Sequence, residues 1–303
     1  MEHAILAEHL AVNYRRKSGE TVRAVKDLSF EVHPGEVVGF LGPNGAGKSS
    51  TLKALMGFVS PASGVATILG LPAGSERARS FVGYLPEVAM YYPYLTPRET
   101  LRLYANLQGI PRAGLEANLT ELLGLVGLGE LGDRLNRTLS KGQLQRVGIA
   151  QSLLGEPSLL ILDEVTSGLD PLGRRDLREL LLSRRDNGAT LFFSSHELSE
   201  VEMLCDRILI IDQGVLLESR VLSELRSELR RYGLVYRGGA SMVGLTDRLE
   251  ELENGRVRAL FEDKEGLLAA ISRIQNGDGE VLDVVAHDGS LEDYFVDVIG
   301  RAA

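Results

Sequence analysis

Hydrophobic and polar positions alternate with a period of two along residues 4–14 and again along residues 25–32. This alternation is typical of strands that bury one face. The polar stretch 15–20 between them indicates a turn, so we predict that the two strands pair antiparallel. The short apolar run 37–41 follows and predicts a third, buried strand.

Three continuous apolar runs lie further along the chain, at residues 159–162, 190–193 and 207–211. Runs without alternation are typical of strands buried on both faces in a parallel sheet. Helical patterns separate the runs, which indicates an α/β arrangement with a parallel core sheet.

A helical insertion is predicted before this core sheet is completed. From Pro86 to about Leu139 the pattern becomes helical, with Thr96 and Thr120 as expected helix caps, and residues 144–154 form a further helix. We therefore predict a helical subdomain over about residues 86–155.

Beyond residue 217 the pattern changes, and we predict a main domain over residues 1–230 and a small α/β domain over residues 231–303. The predicted elements are a charged helix over 221–231, strands over 257–261 and 281–286, and helices over 267–274 and 291–299.

A phosphate-binding loop is indicated by residues 42–49, which match the pattern G-x-x-x-x-G-K-[ST] between a predicted strand and a predicted helix. Glycines let consecutive amides approach phosphate oxygens, while Lys48 reaches the β- and γ-phosphates and Ser49 completes a Mg²⁺ shell. The alternative is a glycine-rich turn that binds nothing. The predicted nucleotide-binding residues here are Gly42, Pro43, Asn44, Gly45, Ala46, Gly47, Lys48, Ser49 and Ser50.

Two acidic residues, Asp163 and Glu164, follow the apolar run 159–162. Nucleotides bind at the carboxyl edge of parallel sheets, so Asp163 is expected to hold Mg²⁺ through water. Glu164 is expected to face the γ-phosphate and to polarise the attacking water. The alternative is a solvated acidic strand end.

Composition narrows the class of protein further. Of 303 residues, 44% are hydrophobic and 25% charged, which fits a folded globular chain, and the net charge of −9 does not favour nucleic-acid binding. The single cysteine, Cys205, cannot form an intramolecular disulfide and is expected to be a small buried hydrophobe. We predict neither a secretory signal nor a membrane span, so a membrane role would require a partner.

The segment 139–143, with LQRVGIAQSLL after it and LLILDE further on, is more restrictive than the phosphate loop. Over residues 4–230 the chain resembles the nucleotide-binding subunits of ABC transporters. The resemblance implies a P-loop NTPase fold of ABC type with an antiparallel β-subdomain. In that family two subunits pair head to tail, and the signature of one closes on the ATP of the other. The signature residues would be Leu139, Ser140, Lys141, Gly142 and Gln143.

The same resemblance assigns further roles. Ser167, Gly168, Leu169 and Asp170 resemble the D-loop at the dimer interface, and His196 resembles the switch histidine that contacts the γ-phosphate. Tyr14 stands where relatives carry an aromatic residue that stacks on adenine, although half-buried packing is the alternative.

Two departures from the family pattern are visible. Many relatives carry a metal-binding glutamine where this chain has Glu87, which can still bind Mg²⁺ but cannot donate a hydrogen bond when ionised. Lys141 replaces a usual glycine of the signature, and Val165 replaces the usual proline after Glu164.

The resemblance, especially GYLPE and YPYLTPRETL, is to the exporter branch with separately encoded membrane subunits. It implies an ATPase that uses ATP and Mg²⁺, pairs with a second ATPase subunit, binds a membrane permease and lies on the cytoplasmic face of the membrane. Two other classes share parts of this pattern, a soluble ABC protein acting on nucleic acid or ribosomes and a P-loop kinase or GTPase. Proteins of the first class generally carry two ATPase halves or a long coiled-coil insert, whereas this chain has one phosphate loop and is acidic overall. The second class would not explain the signature. Three roles are open for the C-terminal domain: it could support dimerisation, regulate the ATPase, or serve only as a structural packing module.

Overall fold

The computed structural model describes residues 2–88, 90–238, 242, 245–246, 248–277, 279–287 and 289–302. The chain divides into two compact units, one of Met1–Arg220 with Val298–Ala303 and one of Val221–Asp297. The sequence placed the boundary after residue 230. The difference arises because helix α8 (Leu222–Leu229) groups with the second unit.

The first unit is built on a ten-stranded sheet with the order β5-β4-β1-β2-β10-β9-β3-β8-β7-β6. Its strands are β1 (Ile5–Arg15), β2 (Thr21–Val32), β3 (Val37–Leu41), β4 (Ser63–Ile68), β5 (Leu71–Pro72), β6 (Val82–Leu85), β7 (Leu159–Asp163), β8 (Thr190–Ser194), β9 (Arg207–Asp212) and β10 (Val215–Val221).

The sheet has an antiparallel part and a parallel part. Strand β1 pairs antiparallel with β2, as the alternation predicted, and on its other side it pairs antiparallel with β4. Strands β9, β3, β8, β7 and β6 pair parallel in that order, and every residue of β3, β7 and β8 is buried. Phe30, Phe40 and Phe192 pack together in the core of this unit, with ring centroids 5.2–5.9 Å apart. The predicted parallel core is therefore confirmed.

Helices of the first unit are α1 (Lys48–Leu55), α2 (Glu76–Arg79), α3 (Pro97–Leu107), α4 (Leu115–Leu125), α5 (Lys141–Ser152), α6 (Pro171–Asp186) and α7 (Leu198–Leu204). Among the residues described between β6 and β7, the regular elements are all helical. None of the helices in the described part of the chain is long and apolar enough to cross a bilayer.

The two predicted helix caps have different outcomes. Thr96 caps α3 in a reciprocal capping box with Glu99. The prediction for Thr120 was wrong, because this residue lies inside α4 and its hydroxyl donates to the carbonyl of Glu116. Helix α4 instead begins after Gly114, whose φ of 75° requires the conformational freedom of glycine.

The second unit contains a four-stranded antiparallel sheet with the order β12-β13-β11-β14. Its strands are β11 (Arg231–Arg237), β12 (Leu249–Leu252), β13 (Arg256–Phe261) and β14 (Glu280–His287), and α8 is followed by α9 (Lys264–Gln275) and the start of α10 (Leu291–Ala302). Leu234, Phe261, Leu267 and Ile274 lie in its hydrophobic core. This is the small α/β extension predicted from the pattern.

Candidate active site

The phosphate loop connects the buried strand β3 to helix α1, and two of its glycines have no room for a side chain. A Cβ on Gly42 would lie 2.3 Å from the carbonyl oxygen of Ile211. Gly47 has φ of 112°, and a Cβ there would lie 2.6 Å from the carbonyl oxygen of Ala24. Strands β2 and β9 therefore approach the phosphate loop closely, and glycine at these two positions leaves room for that approach.

Lys48 is the first residue of α1 and is buried, with 8% of its surface exposed. Its Nζ donates to the carbonyl oxygens of Gly42 at 2.6 Å and Pro43 at 3.3 Å, so the side chain folds back across the loop. Burial lowers the pKa of Lys48, and the carboxylates of Glu164, Asp163 and Glu87 oppose that shift without cancelling it. The ammonium group thus lies among the acidic residues predicted for the site.

A cavity of about 430 Å³ lies over the loop and collects several predicted residues from distant parts of the sequence. Tyr14 reaches it from β1, Glu164 from the end of β7, and Glu87 from the segment after β6. Its lining residues are Tyr14, Val22, Arg23, Ala24, Asn44, Gly45, Ala46, Gly47, Lys48, Ser49, Ser50, Glu87 and Glu164. A pocket of this size and mixed chemistry fits a nucleotide.

Sequence reasoning missed the contribution of β2 to this cavity. Val22, Arg23 and Ala24 line it because β2 pairs with β1, with Val22 opposite Tyr14. The strand predicted from the sequence begins at residue 25, whereas β2 begins at Thr21, so the predicted pairing did not include this segment.

At the end of β7 the two acidic residues occupy different environments. Asp163 is 2% exposed and accepts a hydrogen bond from the Ser194 hydroxyl at 2.6 Å. Glu164 leaves the strand with φ of 52°, a left-handed backbone that few non-glycine residues adopt. The change of backbone direction separates the two side chains, so Glu164 lines the cavity.

His196 follows β8 and lies next to Glu164, with its Nδ1 in hydrogen-bond contact with the Glu164 carboxylate Oε2. The side chain of His196 is 61% exposed, whereas that of Glu164 is 12% exposed. The structure thus brings together the two residues that the sequence assigned to catalysis.

Oxygen donors are available for a magnesium ion beside the loop. Ser49 and Glu87 line the cavity, and the Asp163 carboxylate is near enough for its charge to act on Lys48. Mg²⁺ takes oxygen ligands and is usually held by one or two carboxylates together with substrate phosphates. The hydroxyl and the two carboxylates match that donor chemistry.

The signature residues form a separate feature at the start of α5. Ser140 is the N-cap, and its hydroxyl accepts from the Gln143 amide at 3.2 Å while Gln143 Oε1 accepts from the Ser140 amide at 2.9 Å. Ser140 and Lys141 are exposed, while Leu139 is buried. None of residues 139–143, all of which the structure describes, lines the cavity over the phosphate loop.

The D-loop residues lie against the signature. A Cβ on Gly142 would lie 2.6 Å from the carbonyl oxygen of Gly168, and the aliphatic stem of Lys141 lies across Gly168. Leu169 is buried, and Asp170 caps α6 by accepting from the Gly173 amide at 3.0 Å. Ser167 donates its amide to the carbonyl of Glu164 at 3.0 Å. These contacts connect the signature to the strand end that carries Glu164.

Comparison with known proteins agrees with this geometry. A family model described as ABC transporter matches residues 25–167. An uncharacterized ABC transporter ATP-binding protein of Nostoc sp. (strain PCC 7120) is 40% identical over 93% of this chain and 85% of its own length. The bacitracin transport ATP-binding protein BcrA of Bacillus licheniformis is 36% identical over 92% of this chain and 93% of its own. A solved ATP binding subunit of an ABC transporter superposes with a TM-score of 0.67 at 33% identity, covering 74% of this chain and 92% of that one.

The relatives match nearly the whole chain, and the solved subunit shares the fold that carries the phosphate loop. The chain therefore belongs to the family of ABC transporter ATP-binding proteins and is an ATP-binding, ATP-hydrolysing subunit of such a transporter.

Proposed function

We propose that this subunit pairs head to tail with a second ATPase subunit, hydrolyses Mg-ATP at composite sites, and powers export through a separate membrane permease. The observation that carries the proposal is the separation of two half-sites on one chain. The cavity over the phosphate loop holds Lys48 and Glu164, whereas the signature presents Ser140 on an exposed helix start elsewhere. A second subunit that supplies its own signature would complete each site.

Residues of the phosphate loop bind the nucleotide in this mechanism. Loop amides and the N-terminal end of α1 donate hydrogen bonds to the phosphate oxygens, Lys48 moves from the loop carbonyls to the β- and γ-phosphates, and Tyr14 stacks on adenine. Ser49, Glu87 and Asp163 would hold Mg²⁺, which would supply positive charge to neutralise the charge developing on the phosphates.

Glu164 and His196 act on the attacking water. The Glu164 carboxylate accepts a proton from the water as its oxygen bonds to the γ-phosphorus, while the bond from the γ-phosphorus to the bridging oxygen breaks and ADP leaves with that oxygen. His196 contacts this carboxylate through Nδ1. The contact fixes the position of the two side chains relative to each other and leaves the other ring nitrogen, Nε2, for the γ-phosphate. Burial of Glu164 excludes bulk water from the proton transfer.

Ser140 and the start of α5 contribute from the other subunit. The exposed helix start carries a partial positive charge and amide donors, so it favours a triphosphate over a diphosphate. Lys141 adds a positive charge beside Ser140 that the usual glycine lacks. The D-loop segment 167–170 connects this interface to Glu164 through the Ser167 amide.

Dimerisation is tested by gel filtration with the Glu164→Gln variant, in which bound ATP persists. With Mg²⁺ and ATP this variant should run at about twice the monomer mass of 33.0 kDa, and with ADP it should not. Adding Ser140→Arg should abolish the dimer because a long charged side chain would block the signature. Ser183→Arg, also an exposed serine but at the far end of α6, is the control. A Glu164→Gln protein that binds ATP yet stays monomeric would contradict the composite site.

A second cavity, of about 570 Å³, supports the permease as partner. Its lining includes Phe58, Tyr84 and Tyr104 and, from the segment after β6, Val88 and Met90, which are 69% and 85% exposed. Exposed apolar grooves of this kind mark protein-binding sites. The segment also carries Glu87, so a protein bound here would contact the chain beside the nucleotide.

The direction of transport is proposed from a relative. BcrA is a bacitracin transport protein by name, and transport of an antibiotic is consistent with export.

Crosslinking tests this docking site. Cys205 is half-buried, and burial raises the pKa of its thiol well above its ordinary value, so the native cysteine should react more slowly than an exposed one. In membranes from cells that produce the whole transporter, Met90→Cys should crosslink to an integral membrane protein with a thiol-reactive bifunctional reagent. Val65→Cys, an exposed apolar position outside the groove, is the control. Equal crosslinking from both positions would argue against the groove.

The permease would place the subunit on the cytoplasmic face of the membrane. Net charge of −9 gives no support to a nucleic-acid partner. We propose that the second unit, which has its own hydrophobic core, has a structural role in this assembly.

A further inference from the structure

Ser194 is a buried polar residue whose hydroxyl contacts both members of the acidic pair. It ends β8, lies between Phe40 of β3 and Asp163 of β7, and has 0% of its surface exposed. Its Oγ donates to Asp163 Oδ1 at 2.6 Å and accepts from the Glu164 amide at 3.0 Å. Both hydrogen-bonding functions of the buried hydroxyl are used, which offsets the cost of placing it in an apolar strand.

The need for this hydroxyl follows from the backbone of Glu164. Strands β7 and β8 pair in register from Leu159 opposite Thr190 to Asp163 opposite Ser194. At Glu164 the chain turns into the left-handed region, with φ of 52°, and leaves the ladder. The amide of Glu164 then takes the Ser194 side chain as its acceptor. Left-handed backbone is unfavourable for a glutamate and persists only where neighbouring groups hold it.

The same hydroxyl fixes the Asp163 carboxylate. A charge-assisted hydrogen bond of 2.6 Å to Oδ1 restricts rotation of the Asp163 side chain. One small side chain therefore connects the residue proposed to hold Mg²⁺ with the residue proposed to accept the water proton.

We propose that Ser194 is a positioning residue for ATP hydrolysis, which sets the orientation of Asp163 and Glu164 relative to each other through its hydroxyl. The proposal rests on the roles given to those two residues under the proposed function. Ser194 itself does not touch the nucleotide in this assignment. Its loss should therefore reduce turnover and the response to Mg²⁺ more than it reduces nucleotide binding.

Ser194→Ala tests this. We expect kcat for ATP to fall roughly ten- to a hundredfold, the effect of one charge-assisted hydrogen bond at a catalytic group, while KM for ATP changes by less than about threefold. The Mg²⁺ concentration for half-maximal activity should rise several-fold. Ser152→Ala is the matched control, since it removes a buried serine hydroxyl that donates only to Ile149 within α5.

A binding measurement separates positioning from general damage. Thermal unfolding with ATP in EDTA and with ATP in Mg²⁺ should show that Ser194→Ala keeps the stabilisation by ATP and loses much of the increment due to Mg²⁺. If the alanine variant does not fold, Ser194→Cys is used, because its thiol is nearly the same size and a much weaker donor.

The outcomes distinguish this inference from the proposed function. Wild-type protein without ATPase activity, or Glu164→Gln with normal activity, would overturn the proposed function. If those results are as expected but the Ser194 variants match wild type in kcat and in Mg²⁺ dependence, only the role of Ser194 is wrong. Equal losses of ATP stabilisation with and without Mg²⁺ would also overturn it, since they indicate a structural role.

Discussion

Glu164→Gln is expected to lower kcat for ATP hydrolysis by about a thousandfold while ATP binding stays within about threefold of wild type. The substitution removes the proton acceptor and the negative charge and little else. Glutamine has nearly the same shape, tolerates the φ of 52° no worse than glutamate, and can still accept the hydrogen bond from His196. Steady-state phosphate release and titration with a fluorescent ATP analogue measure the two quantities.

The chain offers a matched control for this variant. Glu156 also has φ of 52°, but it is exposed and lies outside the cavity over the phosphate loop. Glu156→Gln therefore makes the same chemical change at a residue with the same φ angle, and it should leave kcat for ATP hydrolysis unchanged. A Glu164→Gln protein that retains a tenth or more of wild-type turnover would remove Glu164 from the role of base.

Lys48→Ala is expected to weaken ATP binding by about two to three orders of magnitude, since the ammonium group is proposed to make charge-assisted hydrogen bonds to two phosphates. Lys48 is 8% exposed, and this burial lowers its pKa, so the ammonium group has already given up much of its hydration in the folded protein. A poorly hydrated cation loses little on binding a phosphate, so its contribution to affinity should be large. Calorimetric or fluorescence titration with ATP gives the change.

Lys53→Ala serves as the comparison for Lys48. Lys53 belongs to the same helix α1, is exposed, and does not line the cavity over the phosphate loop. Its removal should change ATP affinity by less than about twofold. If Lys48→Ala binds ATP as wild type does, the phosphate loop of this chain does not hold the nucleotide in the way we propose.

Local interactions explain why much of the architecture could be predicted from the sequence. Alternation along β1 and β2, and the continuous apolar runs of β7, β8 and β9, reflect which faces of each strand are buried. The capping box at Thr96 uses residues three apart. The wrong cap at Thr120 has a local cause too, since a threonine inside a helix can satisfy its hydroxyl on the preceding turn, as it does with Glu116.

The candidate site likewise has a part that depends on local sequence and a part that depends on contacts between distant segments. The phosphate loop, the acidic pair and the signature could be predicted from the sequence, because each is a contiguous motif whose chemistry depends on neighbouring residues. Three other features are visible in the folded chain alone: Arg23 lines the cavity over the phosphate loop, Lys141 lies across Gly168, and Ser194 hydrogen-bonds to both Asp163 and Glu164. These contacts depend on strand pairing and on loop packing between distant segments, so they are set by the burial of whole strand faces and not by the residues of any one motif.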